Sequence, residues 1–243
     1  MSSPNSTEIE APPHLLELLA KLHQRSLDEE ALIKAPGGGY DKIRGSLQDD
    51  PAALKRYQDD LMRDKFIALD ADKACFMYNL VRCTRALNVV ECGTSYGVST
   101  IYLALAVGQN AEAANKSTGE AKVIATEYEP SKAKVAKEHW HQAGESVEPW
   151  IEFREGDLLQ TLKSDMPLID FVLFDIWTDM VVPTLDILEP RLKHGAVLLV
   201  DNTVASRGGY EAFLARIKAE NSNYKSMTLP FDGGLEMVTY WPR

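Results

Sequence analysis

Apolar residues in the first third of the chain recur at helical spacing. Leu15, Leu18, Leu19 and Leu22 share one face and predict a helix from His14 to Lys34. Ala35–Ser46 contains Pro36 and three consecutive glycines, Gly37–Gly39, and reads as a loop, either a plain helix connector or a hinged lid. Pro51 suits a first helical turn and predicts a second helix to about Ile67. Asp70 is the expected cap of a third, which runs to about Arg85. The polar, proline-bearing stretch 1–13 is expected to be flexible.

After Ala86 the period changes. Short apolar runs at Asn88–Cys92, Lys122–Glu127, Ile151–Arg154, Ile169–Asp175 and Ala196–Asp201 predict strands. Between them lie helical stretches at Val98–Val107, Pro130–Ala143, Asp157–Leu162 and Met180–Lys193, the last stopped by Gly195. Gln109–Ala121 is small and polar, as a surface insertion would be. A helix at Tyr210–Glu220 and two closing strands, Tyr224–Leu229 and Glu236–Trp241, complete the series. Strands alternating with helices imply an α/β fold, a Rossmann-like, mostly parallel sheet with helices on both faces. The division expected is a flexible 1–13, a helical segment 14–69, and a sheet domain 70–243.

Composition narrows the partners. The 243 residues carry a formal net charge of −10, which disfavours nucleic acid and anionic membrane surfaces. No apolar run has the length to span a bilayer, and 1–13 lacks the basic and apolar segments of a secretory signal, so a cytoplasmic protein is expected. Cys75, Cys83 and Cys92 fit no zinc spacing and are expected to be buried, reduced thiols. His14, His23, His139, His141 and His194 also lack metal-like spacing, and His194 is expected at a helix C-terminus.

Candidate chemistry gathers at the strand ends, where open α/β sheets bind their ligands. Four predicted strands end in acids: Glu91, Glu127, Asp175 and Asp201. One such acid is ordinary, whereas four on one edge mark a site. The segment Glu91–Ser99 joins strand to helix. Gly93 permits a tight turn and Gly97 lets a ligand approach the backbone. The helix start, with Ser99 as a further donor, can hold a carboxylate, and Glu91 can accept from an ammonium. The turn is GxxxG rather than GxGxxG, and no phosphate-binding lysine follows. Glu127 is placed to accept both hydroxyls of a ribose. A nucleoside joined to a zwitterion, without phosphates, describes S-adenosylmethionine better than NAD.

Asp175, Asp201 and Asn202 end two strands and offer hard oxygen ligands suited to Mg²⁺ or Ca²⁺. Each feature alone also fits a plain strand end, with a solvated acid or an Asp-Asn pair capping the next loop. Trp177, directly after Asp175, and Tyr96, inside the first turn, read as pocket walls, with core packing the alternative.

From about Asp70 to the C-terminus the chain resembles the small metal-dependent S-adenosylmethionine-dependent O-methyltransferases, catechol O-methyltransferases and caffeoyl-CoA enzymes among them. VVECGTSYGVST resembles the family's cofactor turn, which implies cofactor contacts at Glu91, Gly93, Ser95, Tyr96, Gly97 and Ser99. IATEYEP resembles its ribose-binding strand end and implies that role for Glu127. FREGD resembles the segment beside the adenine, so Gly156 and Asp157 are implied to flank that ring. FDIWTDMVVPTLDILEPRLKHGAVLLVDN is the most specific block and implies Trp177 at the cofactor and Asp175, Asp201 and Asn202 on the metal. GLE implies a substrate-facing, catalytic Glu236 beside the catalytic Asp175. The resemblance further implies seven strands with the last antiparallel, Mg²⁺ or another divalent cation, and a small-molecule acceptor. The N-terminal helices offer a surface for a homodimer.

The chain departs from that pattern at one telling position. Catechol O-methyltransferases carry a lysine base just after the tryptophan, and here the position is Thr178, which cannot take a proton near neutral pH. Ile176 likewise replaces a polar residue. The acceptor proton then leaves because the metal acidifies a phenol of pKa ~10, or because Asp179, Glu236 or a histidine takes it. A third alternative is that the protein binds cofactor without transfer. A metal-independent methyltransferase acting on nitrogen or on an acidic hydroxyl is the remaining reading.

Overall fold

The computed structural model describes residues 4–39 and 51–243. Its strands are β1 (Asn88–Cys92), β2 (Lys122–Glu127), β3 (Ile151–Glu155), β4 (Ile169–Phe174), β5 (Leu192–Asp201), β6 (Tyr224–Leu229) and β7 (Leu235–Tyr240). They form one seven-stranded sheet of order β3-β2-β1-β4-β5-β7-β6. Strands β1 to β5 pair in parallel, and β7 runs antiparallel to both β5 and β6. The order of connection reverses between β1 and β4, which is where such a sheet opens a crevice. Register aligns the ends there. Cys92 pairs with Phe174 and Phe174 with Val200, so Gly93, Asp175 and Asp201 follow side by side.

The helices are α1 (Pro13–Lys34), α2 (Pro51–Met62), α3 (Ala71–Thr84), α4 (Val98–Ala113), α5 (Pro130–Ala143), α6 (Leu158–Thr161), α7 (Thr178–Leu188) and α8 (Glu211–Ile217). Alternation along the strands sends side chains to two cores. On one face Val89, Val123, Phe171, Leu173 and Leu199 pack with Leu15 and Leu19 of α1, Met77 of α3 and Ile101 of α4. On the other, Val90, Ile124, Val172, Phe174 and Val200 pack with Leu185 of α7 and Phe213 of α8. Both faces of β4 are therefore covered, which accounts for its apolar run Phe171–Phe174.

Several boundaries differ from the sequence expectation. Helix α4 runs on to Ala113, through the start of the expected surface insertion. Asn110 explains it, because its buried amide donates to the Val81 and Ala86 carbonyls where α3 ends. Helix α2 stops at Met62 rather than near Ile67, and α8 spans only Glu211–Ile217. Helix α7 stops at Leu188 because Pro190, in a 3-10 turn, has no N–H to continue it. Strand β5 then begins at Leu192, so His194 and Gly195 lie in a strand rather than at a helix end. Residues 4–12, expected to be flexible, are docked. Ile9 is buried, and the Asn79 and Gln109 amides donate to the Glu8 and Glu10 carbonyls. Cys75 and Cys92 are buried, but Cys83 is exposed; all three are free. The expected loop at 35–46 lies from residue 40 onward outside the described residues. Among the described residues no helix is long and apolar enough to cross a membrane.

Candidate active site

Glu91 organises the first turn from beneath. It lies on the α4 side of the sheet, fully buried, and accepts the hydroxyls of Thr94 at 2.8 Å, Ser99 at 2.6 Å and Thr100 at 2.6 Å. Burial pushes its carboxyl above the usual range, and the three hydroxyls pull it back. The Ser99 hydroxyl is thus donated inward, leaving backbone N–H groups as the donors of the α4 start. Gly93 has φ +90°, and a Cβ there would lie 2.1 Å from the Asp175 carbonyl oxygen. Gly97 has φ +79°, but its close neighbour is the Trp140 indole, 2.5 Å from an added Cβ, where a ligand was expected. Trp140 Nε1 also donates to the Gly97 carbonyl at 3.1 Å.

Glu127 reaches across from β2. Its carboxylate accepts the Ser95 N–H at 2.7 Å and the Glu129 N–H at 2.8 Å, binding the first turn to the second. Gly156 donates its N–H to the Glu127 carbonyl at 2.8 Å, and Asp157 caps α6 by accepting from Leu159 N–H. The three strand ends are thereby held as one rim. Tyr96 roofs it. Its ring stacks on Phe66 at 4.6 Å, its hydroxyl donates to the Asp64 carbonyl, and Arg25 lies over Phe66.

Asp175 and Asp201 meet at the switch point. Burial first, then the Asp201 and Glu91 carboxylates, push the Asp175 carboxyl up to about 7. Asp201 is buried, and its Oδ1 accepts Lys73 Nζ at 2.7 Å while its Oδ2 accepts Asn202 Nδ2 at 2.9 Å. Lys73, on α3, is only 2% exposed and also pairs with Asp70 Oδ2 at 3.1 Å. Burial alone would lower its amine, but Asp201 and Asp70 outweigh that and hold it above the usual lysine range. Asp70 therefore stands at the α3 cap position with its carboxylate turned to Lys73 rather than to a helix N–H.

Among the described residues no three His, Cys, Asp or Glu side chains gather around one point. The set is two carboxylates and the Asn202 amide, all with hard oxygens, and the negative potential that raises Asp175 is what a divalent cation relieves. On that ground the residues fit such an ion.

Glu236 does not join them. It pairs with Val200 across β5–β7, so alternation puts its side chain on the sheet face opposite Asp201. There it is buried, accepts the Thr228 hydroxyl and pairs with Lys218 at 2.8 Å. Thr178 opens α7 against Gly209, whose added Cβ would lie 2.2 Å from Thr178 Oγ1. Asp179 is exposed on the same turn, and Trp177 stands 47% exposed beside Asp175. His23 is buried on Tyr102 and borders the same cavity as Asp201, and His139 bonds the Tyr96 carbonyl.

A reversed-order sheet with a glycine turn after β1, an acid ending β2 and no phosphate loop defines a methyltransferase of class I fold. Residues 90–203 match the family model of a methyltransferase domain. The chain is 32% identical over 164 residues to a catechol O-methyltransferase of Mycobacterium tuberculosis, spanning 66% of this chain and 68% of that protein. It superimposes on cofactor-bound Rv0187 from MTB with a TM-score of 0.64 at 24% identity, covering 82% of this chain and 94% of the other. It also superimposes on an O-methyltransferase from Bacillus cereus in complex with SAH, with a TM-score of 0.61 at 20% identity, covering 90% and 99%. The chain belongs to the S-adenosylmethionine-dependent O-methyltransferases and is an enzyme of that class.

Sequence reasoning missed Lys73 and the hydroxyls of Thr94 and Thr100. Lys73 had a signal. It falls on the apolar stripe Ala74, Met77, Tyr78, Val81 of its helix, three residues after an acid, and a lysine there needs a buried partner.

Proposed function

We propose that this enzyme methylates a hydroxyl of a small phenolic or catechol-like acceptor, assisted by a divalent cation, Mg²⁺ first, at Asp175, Asp201 and Asn202. The observation that carries this is the register of β4 and β5, which sets Asp175 and Asp201 side by side at the ends of adjacent parallel strands. S-adenosylmethionine supplies an electrophilic methyl group on a sulfonium. A divalent cation held by the two carboxylates and the amide would favour the ionised form of an acceptor hydroxyl.

The chain does the positioning. Glu127 offers its carboxylate to the ribose, Gly156 and Asp157 border the adenine, and the backbone N–H groups of the α4 start face the cofactor's carboxylate. Trp177 walls the mouth, while Phe66 and Tyr96 keep water from the turn. Holding both reactants in line supplies up to ~7–11 kcal/mol of barrier reduction in favourable cases. With Thr178 unable to act as base and Glu236 on the other face, the proton leaves an acidified phenol to solvent. The acceptor side is built by the N-terminal segment. A cavity of about 110 Å³ bordered by His23, Leu27, Glu30 and Ile67 reaches Asp201 and Asn202.

A second reading, metal-independent transfer, is favoured by the Lys73 ammonium already on Asp201. The test is product formation from a panel of phenols and catechols, read by mass spectrometry with Mg²⁺ and with EDTA. Loss in EDTA and recovery with Mg²⁺ is the expected result. Undiminished turnover in EDTA overturns the metal part, and no methylated phenol at all overturns the acceptor class.

A further inference from the structure

Lys73 is fixed where a cation should bind. Its side chain is 2% exposed, so its ammonium cannot swing into solvent, and its two partners come from different elements. Asp201 belongs to the end of β5, and Asp70 precedes α3. Both oxygens of Asp201 are already engaged, Oδ1 by Lys73 and Oδ2 by the Asn202 amide.

A divalent ion that uses Asp201 must therefore share this carboxylate with a resident positive charge. Like charges a few ångströms apart in a dry site repel strongly, and salt does little to screen them. A neutral residue of the same length would remove that repulsion and leave Asp201 to the ion alone.

We infer that Lys73 is the affinity-setting residue of the divalent site, a built-in monovalent cation that competes for Asp201 and keeps the metal loosely and exchangeably bound. This rests on the metal reading proposed above. Asp70 takes the other part in the balance. By holding the same ammonium, it draws Lys73 partly away from Asp201.

The test measures Mn²⁺ binding by electron paramagnetic resonance on the full chain with S-adenosylhomocysteine present, so it does not depend on turnover. Lys73→Met should bind Mn²⁺ at least about tenfold more tightly than wild type, while Lys73→Arg, which keeps the charge, should resemble wild type. Asp70→Asn, at a side chain 24% exposed, should weaken binding several-fold because the ammonium is left to Asp201 alone. Equal or weaker binding by folded Lys73→Met overturns the inference and leaves the metal reading standing. If Lys73→Met does not fold, unchanged affinity in Asp70→Asn overturns it. Wild type and all variants failing to bind millimolar Mn²⁺ while still methylating overturns the metal reading and this inference with it.

Discussion

The Ser99 hydroxyl donates to Glu91 Oε1 at 2.6 Å, tying the first turn of α4 to the end of β1. Thr94 and Thr100 donate to the other oxygen of the same buried carboxylate. Glu91→Ala would strand three buried hydroxyls without their acceptor, each a cost of about 1–3 kcal/mol before relaxation. We expect a loss of about 3 kcal/mol or more in urea unfolding, together with much weaker S-adenosylhomocysteine binding by calorimetry.

Glu127 should separate binding from stability. Its carboxylate is partly exposed, and its N–H partners can turn to water. A charge-assisted hydrogen bond contributes about 1.5–3 kcal/mol. Glu127→Ala is therefore expected to weaken S-adenosylhomocysteine binding about 10- to 100-fold, with little change in melting temperature. An unchanged Kd would remove the ribose role.

Asp175 should show the opposite trade. Burial disfavours its charge, and the nearby Asp201 and Glu91 carboxylates disfavour it further. Neutralising it relieves the repulsion, so Asp175→Asn is expected to unfold at higher temperature in metal-free buffer. The same variant should lose methyl transfer by at least about a hundredfold, because the proposed reaction centre loses a carboxylate. Scanning calorimetry and turnover on one preparation check both halves.

His23 gives a pH dependence of known sign. Burial lowers its pKa from 6.5 to about 4, with its ring nitrogen 2.8 Å from the Tyr102 hydroxyl. Between those values the unfolded chain binds a proton that the folded chain refuses. The contribution to stability is whole above pH 6.5 and is lost as pH falls toward 4, by about 3 kcal/mol. Urea unfolding at several pH values should show wild type losing that much more than His23→Gln, and parallel profiles would exclude the assignment.

Much of this architecture was legible because period and punctuation are local. The apolar runs ending in Glu91, Glu127 and Asp201 marked strands whose carboxyl ends share one edge, and their alternation with helices marked a mostly parallel sheet. What was hidden depends on contacts distant in sequence. Asn110 looks like a loop residue until the end of α3 presents carbonyls to it. Glu236 looks like a site acid until the antiparallel pairing of β7 sends it to the opposite face. Lys73 stands on an apolar stripe, but its partner stays hidden until Asp201, 128 residues away, comes to meet it.

The Asp175 carbonyl occupies the volume that a side chain at position 93 would need. The strand end proposed to serve the acceptor thus rests, backbone against backbone, on the turn proposed to serve the methyl donor. Displacement of one is transmitted to the other. On the proposed function, changes of acceptor preference are then expected to come from the N-terminal helices and outer loops, because neither half of the centre can be recut without disturbing its counterpart.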